Sequence, residues 1–99
     1  MPAKVPVFFA LSALTDLQKI EEYYTSEDVP DTGRRLIVEL MSRIERLADY
    51  PKSGRVVPEF AIEHLREIIQ PPFRVVYRCD GKKVRIIRIW RSERLLRLP

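Results

Sequence analysis

The chain has 99 residues, of which 45% are hydrophobic and 32% are charged. A chain of this length forms one core, so we expect a single domain over residues 1–99, and a second domain is excluded. One cysteine excludes an internal disulfide, and one cysteine with one histidine excludes a Cys/His zinc site. The apolar stretch near the N-terminus is far shorter than the roughly 20 residues that span a bilayer, so we expect a cytoplasmic protein without a membrane partner.

Charge is distributed unevenly along the chain. Residues 1–50 carry six Lys and Arg against nine Asp and Glu, a net charge of −3, whereas residues 51–99 carry twelve against five, a net charge of +7. Nine of those twelve cations are arginines, whose planar guanidinium groups bind carboxylates and phosphates through paired hydrogen bonds. The second half therefore predicts an acidic partner, either protein or nucleic acid.

A strand and two helices are predicted in the first half. Val5, Val7 and Phe9 alternate at the strand period in a segment that ends near Leu11, and Pro6 favours a position at the edge of a sheet. The helices that follow are joined by a short connection, which predicts an antiparallel hairpin with its apolar faces turned toward the sheet.

The helix boundaries are predicted from their capping residues. Ser12 or Thr15 could cap the first helix, which ends near Ser26, and Asp31 is the predicted N-cap of a longer second helix. The apolar positions of the second helix form one continuous stripe, at Leu36, Ile37, Leu40, Met41, Ile44, Leu47 and Ala48.

Three antiparallel strands are predicted in the second half, after a loop that contains Pro and Gly. They are His64–Ile69, Phe73–Cys79 and Val84–Trp90, separated by Pro71-Pro72 and by the hairpin signal Asp80-Gly81. The predicted fold is therefore α+β, an N-terminal strand, a helical hairpin and then an antiparallel β-meander. The element order is β-α-α-β-β-β, with both helices on one face of the sheet.

No pattern of catalytic residues stands out. The glycines lie scattered in turns, which excludes a phosphate-binding loop, and we expect no cofactor and no metal. No serine of the chain lies in a catalytic motif, so His64 gives little support for a Ser-His-Asp triad and is interpreted as a structural residue. Glu59, Glu63 and Glu67 lie four residues apart, but Pro58 and the strand prediction favour a salt-bridged edge over a pair of catalytic carboxylates.

Arginines are the candidate binding residues. They occur along the predicted strands and in the tail, at Arg66, Arg74, Arg78, Arg85, Arg88, Arg91, Arg94 and Arg97. Alternation places Arg74 and Arg78 on one face of their strand, and hairpin pairing brings them near arginines of the next. Such a cluster favours an anionic partner. The alternative is a solvated basic face paired with Glu67, Asp80 and Glu93.

Seven short motifs, in order, resemble the RelE/ParE toxins. They are Asp16-Leu17-x-x-Ile20, Tyr23-Tyr24, Leu47-x-x-Tyr50-Pro51, Gly54-Arg55-Val56-Val57-Pro58-Glu59, Leu65-Arg66-Glu67-Ile68, Phe73-Arg74-Val75-Val76-Tyr77-Arg78 and Ile86-Ile87-Arg88-Ile89-Trp90. The last three look like the consecutive strands of the ParE branch. The resemblance covers nearly the whole chain and implies the α+β fold predicted above.

The resemblance implies a toxin of a bacterial type II toxin–antitoxin system. Family members are neutralised by a small antitoxin whose acidic or amphipathic tail wraps the toxin, so the implied partner is a ParD-like antitoxin in a hetero-oligomer. RelE-like members cleave mRNA on the ribosome, whereas ParE-like members inhibit DNA gyrase. The resemblance therefore leaves an enzyme and a protein-binding inhibitor to be distinguished.

The residues favour the ParE-like branch. RelE-like cleavage relies on arginines and a C-terminal tyrosine or histidine, and the aligned positions here hold Ile69, Ser92 and a residue near Leu98. We therefore expect gyrase inhibition without catalysis by this chain. The expected contacts with target or antitoxin are Arg66, Arg74, Arg78, Trp90, Arg91 and Arg94. The alternatives are an mRNA endoribonuclease and an inactive homologue that only binds antitoxin.

Overall fold

A computed structural model describes residues 4–91. The elements in chain order are strand β1 (Val7–Phe9), helix α1 (Leu11–Ser26), helix α2 (Pro30–Glu45), a 3-10 turn (Arg46–Ala48) and strands β2 (Arg55–Val56), β3 (Leu65–Gln70), β4 (Phe73–Cys79) and β5 (Val84–Arg91). The α+β class and the β-α-α-β-β-β order are confirmed. The structure adds the two-residue strand β2 within the segment predicted as a loop.

The strands form a five-stranded sheet in the order β1-β5-β4-β3-β2. Strands β2 to β5 are antiparallel neighbours, whereas β1 pairs in parallel with β5. The edge position of β1 agrees with the prediction from Pro6. Strand β2 exists because Arg55 and Val56 pair with Glu67 and Arg66 of β3, a long-range contact that leaves no periodic signal in two residues.

Helix α1 begins earlier than predicted. It starts at Leu11, directly after β1, with Ala10 in the N-cap position, so Ser12 and Thr15 lie inside the helix and the predicted caps are wrong. The Ser12 hydroxyl instead donates a 2.7 Å hydrogen bond to the Ile87 carbonyl of β5. Tertiary pairing with the sheet, rather than local capping, therefore sets where this helix begins.

Helix α2 also begins before its predicted cap. Val29 occupies the N-cap position and Pro30 the first helical position, where its fixed φ suits the helix and its missing N–H is not needed. Asp31 lies one residue further on, in the first turn, where its negative charge interacts favourably with the helix dipole.

The core lies between the helices and one face of the sheet. The helices contribute the buried residues Ala13, Ile20, Tyr24, Leu40 and Ile44, the 3-10 turn contributes Leu47, and the strands contribute Ile68, Phe73, Val75, Tyr77, Cys79, Val84, Ile86 and Ile89. Three positions of the stripe predicted for the second helix are thus fully buried, although α2 ends at Glu45 and the last of them, Leu47, lies in the 3-10 turn. The opposite side of the sheet, which we call the open face, carries the intervening residues of each strand. Neither helix within residues 4–91 is long and apolar enough to cross a membrane.

Helix α1 covers the part of the β5 edge that the short strand β1 does not reach. The Ile89 N–H donates to the Asp16 carboxylate at 2.9 Å, and Arg88 donates to the same carboxylate at 2.8 and 3.2 Å. Asp16 is 7% exposed, so it serves as a buried acceptor for a strand that would otherwise present unpaired backbone groups.

Replacement Asp16→Ala is expected to lower the free energy of unfolding by about 1–3 kcal/mol, because it leaves the buried Ile89 N–H without an acceptor. Urea unfolding followed by circular dichroism measures this loss. Asp31→Ala is the matched control, since Asp31 is exposed and pairs with exposed Arg34. Equal midpoints for the two variants would contradict the role assigned to Asp16.

Candidate functional site

The open face consists of three rows of side chains that run across the strands. The register places Phe8, Arg85, Arg78 and Leu65 in the first row, Arg88, Val76, Glu67 and Arg55 in the second, and Trp90, Arg74 and Ile69 in the third. Five of these eleven side chains are arginines, so the predicted basic sheet face exists. Its members differ greatly in burial and in partners.

Arg74 and Glu67 form the centre of the open face. The buried Glu67 carboxylate accepts a 2.5 Å hydrogen bond from Arg55 and a further hydrogen bond from Arg74. Arg74 also donates to both oxygens of Glu59, at 3.1 and 3.2 Å. Two of the glutamates predicted to form a salt-bridged edge therefore converge on one guanidinium group.

The ion pairs of this centre shift the ionisation of their members. Burial alone would lower the pKa of Arg74, but its hydrogen bonds to Glu59 and Glu67 raise it. The hydrogen bond from Arg74 holds the pKa of the Glu59 carboxyl below its ordinary value. Glu59 and Arg74 therefore stay charged near neutral pH, where neither exchanges a proton readily.

Trp90 lies on the open face beside two arginines. The guanidinium carbons of Arg74 and Arg88 lie 5.5 and 5.6 Å from its ring centroid, within the range of cation–π contact. The hydrogen bond from Arg88 to Asp16 raises the pKa of Arg88 and fixes its side chain across the sheet edge. Trp90 is thus fixed between two arginines and is half-buried.

Arg66 does not lie with Arg74 and Arg78. Its register partner is Tyr77, a core residue, so Arg66 is on the helical side of the sheet. Its guanidinium donates to the Gly54 carbonyl at 3.0 Å, and to the Glu63 carbonyl and carboxylate at 3.1 and 2.6 Å. Arg66 therefore anchors the loops on either side of β2, and its carboxylate partner is Glu63 rather than Glu67.

Tyr77 belongs to the same loop anchor. Its hydroxyl accepts a 2.9 Å hydrogen bond from the Gly54 N–H and donates one of 2.8 Å to the Pro51 carbonyl. A Cβ on Gly54 would lie 2.7 Å from this hydroxyl, so the close approach requires glycine. Burial raises the pKa of the Tyr77 phenol, which keeps it protonated in this structural role.

Arg91 also lies away from the open face. Its guanidinium carbon is 4.9 Å from the Tyr23 ring centroid and 5.7 Å from that of Tyr24, so it packs against the end of α1. Arg94 lies outside the described residues. Of the six predicted contact residues, the structure thus brings Arg74, Arg78 and Trp90 together on one face.

Arg78 and Arg85 differ from the other arginines of the open face. They are direct cross-strand partners, both are exposed, and neither forms an ion pair within residues 4–91. Arg85 was part of the predicted arginine cluster without being singled out as a contact. Residues 4–91 contain no group of three or more His, Cys, Asp or Glu that could hold a metal ion.

Comparison with known proteins gives a consistent result. The profile of the ParE toxin of type II toxin–antitoxin systems matches residues 7–96. Toxin RelE2 of Caulobacter vibrioides is 32% identical over 90 residues, which cover 90% of this chain and 97% of that protein. The chain belongs to the ParE toxin family of type II toxin–antitoxin systems, within the RelE/ParE superfamily.

Solved structures share the fold. A chain of the chromosomal ParDE system from P. aeruginosa superposes with a TM-score of 0.74 at 21% identity, covering 89% of this chain and 96% of that one. A chain of the RelBE2 toxin–antitoxin complex from Mycobacterium tuberculosis superposes with a TM-score of 0.68 at 18% identity, covering 90% and 99%. The predicted RelE/ParE-like architecture is confirmed.

Replacement Glu67→Gln is expected to lower the free energy of unfolding by about 3 kcal/mol, because it leaves the buried Arg74 without its central carboxylate. Unfolding in guanidinium chloride at neutral pH measures the effect. Glu59→Gln is the matched control and is expected to cost clearly less, since the Glu59 side chain is 57% exposed. A similar loss in both variants would show that burial does not distinguish these carboxylates.

The Glu59→Gln variant also tests the direction in which the fold shifts the pKa of Glu59. Because the folded pKa of Glu59 is lowered, its contribution to stability is present above the unfolded pKa of about 4.3 and is lost as the pH falls through the folded value. Between pH 6 and pH 3 the wild-type chain should therefore lose more stability than Glu59→Gln. Parallel pH profiles would contradict the assigned ion pair.

Proposed function

We propose that this toxin inhibits DNA gyrase in the cytoplasm and is neutralised by a cognate ParD-like antitoxin in a hetero-oligomer. The toxin would act by binding its target, without covalent chemistry of its own. The observation that carries the proposal is the chemical state of the open face. Its most buried arginine is neutralised by two carboxylates, and the position aligned with the first RelE-like catalytic arginine holds Ile69.

A RelE-type ribonuclease needs a base near the 2′-hydroxyl and cations that stabilise the charged transition state. Ile69 offers an aliphatic side chain that is 41% exposed. Arg74 stays protonated and already has two partners, and the lowered pKa makes Glu59 a weak base. Ser92 and Leu98, at the other aligned positions, lie outside the described residues, and neither residue type supplies an imidazole or phenol. This chemistry supports binding over cleavage.

Ribosome-dependent mRNA cleavage is the second candidate function, because the relative at 32% identity bears the name RelE2. Gyrase inhibition and mRNA cleavage require different roles of the arginines. An inhibitor needs them as protein contacts, whereas a nuclease needs them around a scissile phosphate.

The charge distribution and the exposed apolar residues support an antitoxin partner. The helical layer exposes the large apolar side chains Leu11, Leu14, Tyr23, Val29 and Val38. The strand half of the chain carries the +7 charge. The M. tuberculosis neighbour was solved as a toxin–antitoxin complex. An amphipathic acidic antitoxin would cover an apolar helix edge and approach a basic sheet.

Purified toxin is expected to inhibit gyrase supercoiling of relaxed plasmid while leaving mRNA intact in a translation reaction. The two assays are run side by side with the same preparation, and the toxin–antitoxin complex is the control in both. Inhibited gyrase with uncut mRNA supports the proposal. Codon-specific mRNA cleavage with active gyrase would replace it by the ribonuclease function.

Co-expression with the adjacent small antitoxin should give a complex that survives purification at moderate salt, because apolar burial on the helices persists where exposed ion pairs are screened. Size-exclusion chromatography measures the complex, and growth after induction measures its neutralisation. A chain that purifies alone, stable and without effect on growth, would overturn the antitoxin partner. A chain that binds the antitoxin but leaves growth unchanged when expressed without it would indicate the inactive homologue.

A further inference from the structure

One corner of the open face concentrates cations. It comprises Arg78 of β4, Arg85 of β5, and Lys82 and Lys83 of the turn between them, and we call it the basic corner. All four residues are exposed. Asp80 lies in the same turn, but its carboxylate accepts the N–H groups of Lys82 and Lys83 at 3.0 and 3.1 Å. Asp80 is therefore committed to shaping the turn.

The other three arginines of the open face all have an internal carboxylate partner. The pairs are Arg55 with Glu67, Arg74 with Glu67 and Glu59, and Arg88 with Asp16. Arg78 and Arg85 have no such partner within residues 4–91, although they stand directly opposite each other. Like charges in that position destabilise a sheet, so the fold gains nothing from this pair. An anion bound between them would remove the repulsion.

The neighbours of the arginine pair indicate what kind of anion fits. Phe8 of β1 lies beside Arg85 and is 50% exposed, and Leu65 of β3 lies beside Arg78 and is half-buried. The row thus reads apolar, basic, basic, apolar. Neighbouring strands are about 4.8 Å apart, so the row is about 14 Å long. A phosphate backbone would pair only with the two arginines in the middle of this row. A peptide with two carboxylates between apolar side chains would contact all four side chains.

We propose that the basic corner, with Phe8 and Leu65 at its ends, binds an acidic segment of the target protein. Two carboxylates of that segment pair with Arg78 and Arg85, and flanking apolar side chains contact Phe8 and Leu65. This inference rests on the proposed function, in which the target is gyrase. It assigns recognition to Arg78 and Arg85 rather than to the internally neutralised arginines.

The experiment compares full-length toxin with the double variant Arg78→Glu/Arg85→Glu. Its matched control is Lys19→Glu/Arg46→Glu, which makes the same charge change at two exposed cations of the helical layer. Affinity for gyrase holoenzyme is measured without DNA, and supercoiling inhibition is measured with it. We expect at least a tenfold loss in both assays for the corner variant, because two charge-assisted contacts become repulsive, and less than a twofold change for the control.

A third variant separates binding from folding. Arg78→Gln/Arg85→Gln removes the like-charge pair without introducing a new one, so its Tm should equal or exceed that of the wild type while its affinity for gyrase falls. A lowered Tm in this variant would contradict the view that the pair does not serve the fold.

The remaining outcomes are distinct. Wild-type toxin that neither binds nor inhibits gyrase overturns the proposed function together with this inference, before any variant is compared. Wild-type inhibition that the corner variant retains overturns the inference alone. A corner variant that loses affinity for a labelled DNA duplex, with unchanged DNA-free affinity for gyrase, would assign the corner to a phosphate backbone and would also overturn it.

Discussion

The register of β5 against β4 determines what the sheet presents on each side. The pairing shifts between Val76 and Tyr77, so that Ile87 is an extra residue in β5. Because of this bulge, Ile86 and Ile89 both reach the core although they lie three residues apart. Arg85 and Arg88, also three apart, both join the open face. Without the bulge, alternation would place one arginine of that pair in the core.

The carboxylates of the chain divide the arginines into two groups. Glu67, Glu59 and Asp16 neutralise cations next to the sheet centre and at the β5 edge, where an unpaired charge would be most costly. The basic corner lies at the turn end of the β4–β5 hairpin, where all four cations are exposed to water. Solvation weakens the repulsion between these cations, so unpaired charge costs little at that end of the sheet.

Some of this arrangement follows from the sequence and some does not. The facing of strand β4 can be predicted from the sequence, because its core residues alternate with Arg74 and Arg78. The face of Arg66 could have been found as well, since a two-residue turn at Pro71-Pro72 pairs Gln70 with Phe73 and hence Arg66 with Tyr77.

The bulge at Ile87 and the strand β2 could not be predicted from the sequence. Both depend on contacts with distant segments: β2 on β3, and the β5 edge on the Ser12 and Asp16 side chains of α1. The same contacts explain why α1 begins at Leu11 rather than at a predicted cap. Local capping signals are weak compared with the cost of leaving a strand edge unpaired.

Net charge is therefore a poor guide to where this toxin is basic. The second half has a net charge of +7 from twelve cations and five carboxylates, but several of the cations bind carboxylates or carbonyl groups of their own chain. What a partner meets is the charge left after those internal contacts. On the open face this remaining positive charge is concentrated at Arg78 and Arg85. The sequence alone does not distinguish these two from the other arginines of the strands. The exposed positive charge at that place depends on which face of the sheet each arginine occupies, and the register of β5 determines that face.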